Sequence, residues 1–532
     1  MRARSRTGAV TLTMALAGAA CGGGSGGGES TSGTVDQNIK SGVQEQLLSS
    51  TTATSAAVAA KKPTSIEEWE ALWATERAAI VKKIKDNKWG LQPDGKTIKG
   101  PEGFTVDTSK CSAGWNNVEG LTDTEIKIAN HAPYSGTLAD AGNIPKGASA
   151  IWKYYSDKGV FKDANGKTRK INLVTRDDGY DPTRTIPMVD EFLDSEKGFA
   201  IWGLGSANVL KTYDKINQRC VPHPFAVTGH PAWGDPVNHP WTTGILFAYN
   251  TEAVLWGSFL DKHFDELKGP DGKVTVAALV MNNDFGKAYD GGFKNYLSTS
   301  PNKANINYVS EVFEPQAPTI KDAMTSLAAK KPAMYISMMA GTPCTQSIVE
   351  VSENGMKEKV KYLWQPSVCK PASQVGKAVV GGDGSASNGW WIMGGGFIDF
   401  NAEANSENVA IKWGRQVLKD NGFDYKASGN LGSGITYGWA WSQALIIAGQ
   451  LDGGLTRANF ITALRSMEMT NPWYQDGIKF NLNGNKDAYW IEGSDISKYD
   501  SVQQTWVKQG DLIELSGKSA NCAWDQSIAN CK

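Results

Sequence analysis

The residues best suited to chemistry in this 532-residue chain sit in two short polar turns. Gly203-Leu-Gly-Ser-Ala207 and Val227-Thr228-Gly229 each end a short apolar run with small residues, hydroxyls and exposed backbone N–H groups. Free N–H groups where a helix begins, with the Ser206 and Thr228 hydroxyls beside them, suit a carboxylate or another small acceptor-rich group. Read alone, such a turn is more often only a turn and an N-cap. His131 and His230 also follow apolar runs. With one His at each turn and no Cys or carboxylate at metal spacing, hydrogen bonding is expected of them and no metal. The chain has five His, no Gly-x-Ser-x-Gly elbow outside the glycine-rich stretch 22–28 and no His-Glu-x-x-His, so a secreted hydrolase would lack its usual carriers. No catalytic residue and no cofactor is expected.

The elements that must position the turns are a strand over 199–202, a helix over about 208–217 and a strand over 225–228. They form one strand–helix–strand unit of a parallel sheet. In open sheets of this kind the ligand crevice lies outside the carboxyl ends of the strands, so both turns should face one cleft. Further strands over 126–129 and 171–175, with a helix over about 146–156 between them, continue the alternation of an α/β domain.

Size and charge set the frame. The length implies two or three units, each able to bury a core. The formal net charge is −1, about −4 without Arg2, Arg4 and Arg6, so neither nucleic acid nor an anionic membrane surface is implied as a partner. Residues 1–21 read as an export signal: a basic start, an apolar run over 9–20, then Cys21. Ala19-Ala20-Cys21 before a glycine-rich stretch resembles a bacterial lipoprotein signal, in which the Cys becomes the acylated first residue, although Gly18 stands where an aliphatic residue is usual. No later run reaches the roughly 18 apolar residues of a spanning helix, so membrane contact would be by lipid at Cys21. Residues 22–60, poor in apolar anchors, read as a flexible tether. Ser65-Ile-Glu-Glu68 is a capping box, and Trp69, Trp73, Ile80 and Ile84 follow at helical spacing, giving an amphipathic helix packed on its own domain.

The turns then fall into a familiar order. Pro133-Tyr-Ser-Gly136, Asp177-Asp178 with Asp181-Pro182, Gly203-Leu-Gly-Ser206, Val227-Thr228, Asn283-Asp284-Phe285-Gly286, the segment 437–444 and the pair of segments 477–480 and 483–484 follow one another over residues 123–512. In this order they resemble the extracytoplasmic substrate-binding proteins of ABC importers, of the branched-chain amino-acid and amide type. The resemblance implies an α/β fold of two Rossmann-like lobes with a ligand cleft between them, the type I periplasmic-binding-protein fold. Lobe 1 would span 123–247 and 390–475, and lobe 2 would span 248–389 and 476–512. An extension over 61–122 precedes the lobes and a tail over 513–532 follows them.

Carried over, the ligand contacts would be Tyr134, Ser135, Gly205, Ser206, Ala207, Val227, Thr228 and Gly229 from lobe 1, with Phe285 as an aromatic cover and Gln365 from lobe 2. Gln365 stands where amino-acid-binding members carry an acidic residue, and Asn250 is likewise neutral. A buried ammonium without a counter-charge is costly, so the ligand need not be a free α-amino acid. A neutral amide, a carboxylic acid or an aromatic compound fits equally, with Trp233, Trp364 and Trp390 as candidate walls, though ordinary packing is the better expectation for each. Asp177 and Asp178 sit in the turn the family uses structurally and read as a cap and turn device. Six cysteines remain after Cys21, and an exported protein pairs them. Of several connectivities, Cys522 with Cys531 is the local one, Cys344 with Cys369 would join two helix starts, and Cys111 with Cys220 would fasten the extension to lobe 1. The expected partners are a small-molecule ligand and ABC permease subunits, with the chain itself a monomer. A ligand sensor working with a separate membrane receptor is the rival reading.

Overall fold

The computed structural model describes residues 34–48, 62–528 and 530–532. The signal over 1–21, Cys21 and the remainder of the expected tether lie outside the described residues.

Glu125–Ala132 is the centre of a parallel sheet, flanked by Lys170–Asp177 and Ala200–Gly203. Asn130 stands opposite Thr175 on one side and Trp202 on the other, so the carboxyl ends of all three strands reach a common edge. A bridge from Leu204 to Val227 passes the pairing on to His223–Ala226, which runs parallel to Thr242–Gly244. This places the two polar turns side by side. The single helix expected over 208–217 is instead two short ones, Ser206–Leu210 and Tyr213–Gln218. At the break the Thr212 hydroxyl donates to the Asn208 carbonyl at 3.0 Å, a side-chain bond that competes with the helical ladder.

The second sheet has seven strands, in the order Ile306–Phe313, Val274–Met281, Met334–Met338, Tyr362–Gln365, Trp391–Met393, Ile496–Asp500 and Thr505–Lys508. The first five are parallel and the last two antiparallel. Trp391–Met393 therefore belongs with lobe 2, against the expectation that lobe 1 resumes at residue 390. Its register against Tyr362–Gln365 is fixed by packing, with the Trp391 and Trp364 rings 5.6 Å apart. The hairpin that closes this sheet pairs Ile496–Asp500 with Thr505–Lys508, and the segments 477–480 and 483–484 lie outside it. Residues 480–482 instead run beside 467–469, where the Met469 N–H donates to the Phe480 carbonyl at 3.1 Å and the Leu482 N–H to the Met467 carbonyl at 2.8 Å.

The helix Gly429–Gly449 is buried along its length except at Asn430. It crosses Asn143–Asp157 at backbone contact: a Cβ on Gly434 would strike the Ile144 carbonyl oxygen and come within 2.8 Å of the Ala148 nitrogen. Small residues at the crossing set the interaxial distance. The Trp152 indole N–H donates to the Gly438 carbonyl at 2.9 Å across the same contact.

The extension helix is Ile66–Asp86, capped by Ser65, whose hydroxyl accepts from the Glu68 N–H at 3.2 Å. Its buried face carries Trp69, Trp73, Ile80 and Ile84. Trp73 packs against Trp439 at 5.2 Å and donates to the Thr470 carbonyl at 3.0 Å, so this helix covers the first lobe. Within the stretch expected to be a tether, Gln37–Leu48 is a helix packed on the second lobe. Val35, Ile39 and Val43 are buried on one face, and Lys40 Nζ donates to the Thr299 carbonyl at 2.8 Å. Four-residue spacing of three apolar side chains suffices for one docked stripe, which composition alone conceals.

Disulfides join Cys111 to Cys220, Cys344 to Cys369 and Cys522 to Cys531. The tail returns to the first lobe through the Cys522 N–H, which donates to the Gly234 carbonyl at 2.7 Å, and through Trp524, whose ring lies 4.3 Å from that of His230. Among the described residues no helix is long and apolar enough to cross a membrane.

Candidate ligand-binding cleft

Parallel sheets collect the residues that follow their strands at one edge, and here the two edges face each other across a cavity. Its volume is about 140 Å³, and it is partly open to solvent. Leu204 and Val227 line it from just beyond strands of the first sheet, and Ala340, Ser367 and Gly394 from just beyond strands of the second. Direct bonds also join the two lobes. The Thr137 hydroxyl donates to the Pro315 carbonyl at 2.7 Å, the Thr342 hydroxyl to the Thr137 carbonyl at 3.1 Å, and Gln316 Nε2 to the Gly179 carbonyl at 3.2 Å.

Of the residues expected to contact ligand, the structure brings Gly205, Ser206, Val227, Thr228 and Phe285 to the cavity wall. Ser206 Oγ and Thr228 Oγ1 lie 2.8 Å apart and are fully buried. Ala207 and Gly229 adjoin these positions but are not part of the wall, and neither are Tyr134 and Ser135. The Tyr134 hydroxyl donates to Asn130 Oδ1 at 3.3 Å and its N–H to Asp177 Oδ1 at 2.8 Å, so it braces the strand edge.

Gln365 is not in the cavity. It accepts from the Ser337 hydroxyl at 2.9 Å and donates to the Cys344 carbonyl at 3.0 Å, fastening two strands to the helix Thr342–Glu353. The strand's alternation turns its side chain into the core. Trp233, Trp364 and Trp390 are likewise core residues, none lining the cavity. Asn250 lines a separate pocket together with Val35 and residues of the tail. His131 Nδ1 sits 2.8 Å from Asp178 Oδ2 inside the sheet edge, and Asn208 Nδ2 donates to the same oxygen at 3.0 Å. His230 accepts from the Ala232 N–H at 3.2 Å; burial pushes its imidazole down to about 3, so it is neutral at physiological pH. Asp177 accepts from the Gly179 N–H at 2.9 Å and Asp178 from the Tyr180 N–H at 2.9 Å, the bonds of a turn. Among the described residues no group of three or more His, Cys, Asp or Glu is arranged to hold a metal ion.

Sequence reasoning missed most of the apolar wall. Tyr180, Phe247, Tyr249, Tyr437 and Tyr474 all line it. Tyr180 lies within the Asp177–Pro182 turn already singled out, and Tyr437 opens the segment 437–444, so position was a usable signal for both. The charged groups of the wall are engaged by the protein itself. Lys370, 3% exposed, donates to Asp495 Oδ1 at 2.9 Å and Oδ2 at 3.1 Å. Asp140 accepts from Asn143 Nδ2 at 2.9 Å and from Asn430 Nδ2 at 2.8 Å. Just behind Ser367, the buried Glu252 carboxyl accepts from the Tyr289 hydroxyl and the Ser367 hydroxyl, both at 2.8 Å, and from the Ser367 N–H at 2.7 Å. Burial outweighs these bonds and pushes it up to about 8.

A mostly apolar cavity set between two α/β lobes, with the turns of both facing it, defines a cleft-type binding protein. The family model described as periplasmic binding protein matches residues 125–486, and the chain belongs to that family, one of extracytoplasmic binding proteins. No curated protein matches its sequence. Among solved structures it is similar to a branched-chain amino-acid ABC transporter from Thermus thermophilus with bound valine, at 15% identity and a TM-score of 0.62, covering 75% of this chain and 98% of that one. A fatty acid ABC transporter substrate-binding protein from Thermomonospora curvata matches at 17% identity and a TM-score of 0.59, covering 75% and 95%. A solute-binding protein of an ABC transporter from Rhodopseudomonas palustris HaA2, in complex with p-hydroxybenzoic acid, matches at 15% identity and a TM-score of 0.56, covering 73% and 96%. These likenesses establish the type I two-lobed fold expected from the turns.

Proposed function

We propose that this chain is the solute-binding subunit of an ABC importer, anchored through Cys21 on the outer face of the membrane, and that it passes a small, largely apolar organic solute to a permease. The observation that carries the reading is the mostly apolar cavity built from the turns of both lobes. Phe285, Tyr180 and Tyr437 supply its walls, and the turns at Gly205–Ser206 and Val227–Thr228 its first-lobe floor. An apolar body is common to valine, a fatty acid and p-hydroxybenzoic acid, the ligands named for the relatives. Lobe closure gains free energy only from a solute that contacts both lobes, because affinity must differ between open and closed states for the equilibrium to shift. The contacts of Thr137 with Pro315 and Thr342 are the ones such a solute would reinforce.

Native mass spectrometry of the chain without residues 1–21, purified without harsh washing, tests the reading. A retained solute at one per chain, lost on denaturation, is expected. An empty chain that is also not thermally stabilised by any of a panel of amino acids, amides, fatty acids and aromatic acids would overturn it.

A further inference from the structure

Several polar side chains of the cavity wall are spent within the protein. Ser206 Oγ lies 2.8 Å from Thr228 Oγ1, Lys370 is paired with Asp495, and the Ser367 hydroxyl donates to Glu252 at 2.8 Å. Gln374 differs from these. It lines the cavity, is 7% exposed, and its Oε1 is buried without a hydrogen-bond partner. Its Nε2 likewise makes no bond to the protein among the described residues. The backbone that carries this side chain is, by contrast, held at both polar groups. Gln374 lies in the short helix Ala372–Val375, where its N–H donates to the Pro371 carbonyl at 2.8 Å and its carbonyl accepts from the Thr345 hydroxyl at 2.7 Å. Beside it the Ser373 hydroxyl accepts from the Gly429 N–H at 3.1 Å, and a Cβ on Gly429 would lie 2.5 Å from Cβ of Pro371, so the segment is pressed against the start of the helix Gly429–Gly449. The amide thus stands on a fixed base. Rotation about its last side-chain bond, which is only weakly restricted, can turn either its oxygen or its N–H group to the cavity.

We infer that Gln374 is a ligand-binding residue whose free side-chain amide recognises a hydrogen-bonding head group, of the hydroxyl or carboxamide kind, on an otherwise apolar solute. The inference rests on the solute-binding reading and deepens it, adding a polar head to the apolar body. A buried polar group without a partner has lost its water and gained nothing in return. A solute that bonds to the amide recovers that loss, whereas a wholly apolar one leaves the amide unpaired and gains only from its own burial. The residues paired within the wall offer no such recovery, because a solute must first break the bonds they already make.

The experiment compares phenol with toluene, near-isosteres in which a hydroxyl of one stands where the other has a methyl. Both are titrated calorimetrically into the wild-type chain, Gln374→Met and Gln374→Ala, each first stripped of retained solute by unfolding and refolding. Gln374→Met keeps an unbranched side chain and removes the amide; Gln374→Ala adds no bulk and gives the same comparison where methionine does not fit. The ratio of phenol to toluene affinity should fall about tenfold from wild type to variant, the change expected for losing one hydrogen bond in a buried site. The empty variants should melt no lower than wild type, because the amide bonds to nothing in the protein. An unchanged ratio overturns the assignment, and so do variants that both melt well below wild type, which would make the amide part of the packing. If the wild type retains a solute in native mass spectrometry while the ratio is unchanged, or while the stripped chain binds neither probe, the role of Gln374 falls and the solute-binding reading stands. A chain that retains nothing and binds neither compound in any form overturns both.

Discussion

At the scale of single residues, burial decides roles that residue type leaves open. Glu252 is the clearest case, because a carboxyl with three donors would ordinarily ionise easily, yet it is buried and held up to about 8 rather than at the ordinary 4.5. The folded chain keeps this proton over the window from about 4.5 to about 8 while the unfolded chain has lost it. Stability from this group is therefore fully present below pH 4.5 and declines as pH rises to 8. Glu252→Gln, which keeps the shape and loses the charge, should flatten that decline, so its melting temperature relative to wild type should rise between pH 5 and pH 9. The effect is of the order of a few kcal/mol at most. Equal pH slopes for the two proteins in thermal melts would contradict it. The same reasoning separates Gln365 from Phe285. Both were expected at the ligand, but strand alternation turns Gln365 to Ser337 and Cys344, whereas Phe285 begins a helix at the strand's end and faces the cavity. A sequence shows which residues alternate, not which face of a strand meets the cleft.

At the scale of elements, the periodic pattern was legible where apolar side chains repeat and illegible where backbone meets backbone. The Ile66–Asp86 helix was visible from its capping box and its Trp and Ile stripe. The Gln37–Leu48 helix buries Ile39 and Val43, with Val35 buried just before its start, a short stripe among polar residues that read as a tether. The contact between Gly429–Gly449 and Asn143–Asp157 had no such signal, since it depends on what a glycine lacks. Gly434→Ala should destabilise the fold by roughly 1–3 kcal/mol, the usual cost of overpacking a close contact. Urea unfolding with a lowered midpoint and an unchanged slope would show this; an unchanged midpoint would mean that the two helices separate freely.

At the scale of the whole molecule, covalent and cross-lobe links hold the extension and tail to the two-lobed core. The Cys111–Cys220 bridge closes 109 residues of chain and includes the strand edge that carries Tyr134. Replacing both cysteines with serine should cost about 2–5 kcal/mol, the range for native disulfides in secreted domains. Guanidinium unfolding under non-reducing conditions measures it, and a variant as stable as wild type would mean that the noncovalent seam, including the Trp115 indole donating to the Cys220 carbonyl at 2.9 Å, holds the extension by itself. The sequence by itself determined the class of this protein. Alternating strands and helices, and polar turns in a fixed order, are local properties, and the parallel sheet rule then brings the turns to one edge without further information. Only the tertiary structure decided what fills that edge. Whether Tyr249 covers Gly229, whether Lys370 is spent on Asp495, and whether Gln365 faces core or cleft depend on contacts between residues 20 to more than 100 positions apart. Such contacts are set by three-dimensional packing and by which buried polar groups find partners, neither of which local sequence encodes.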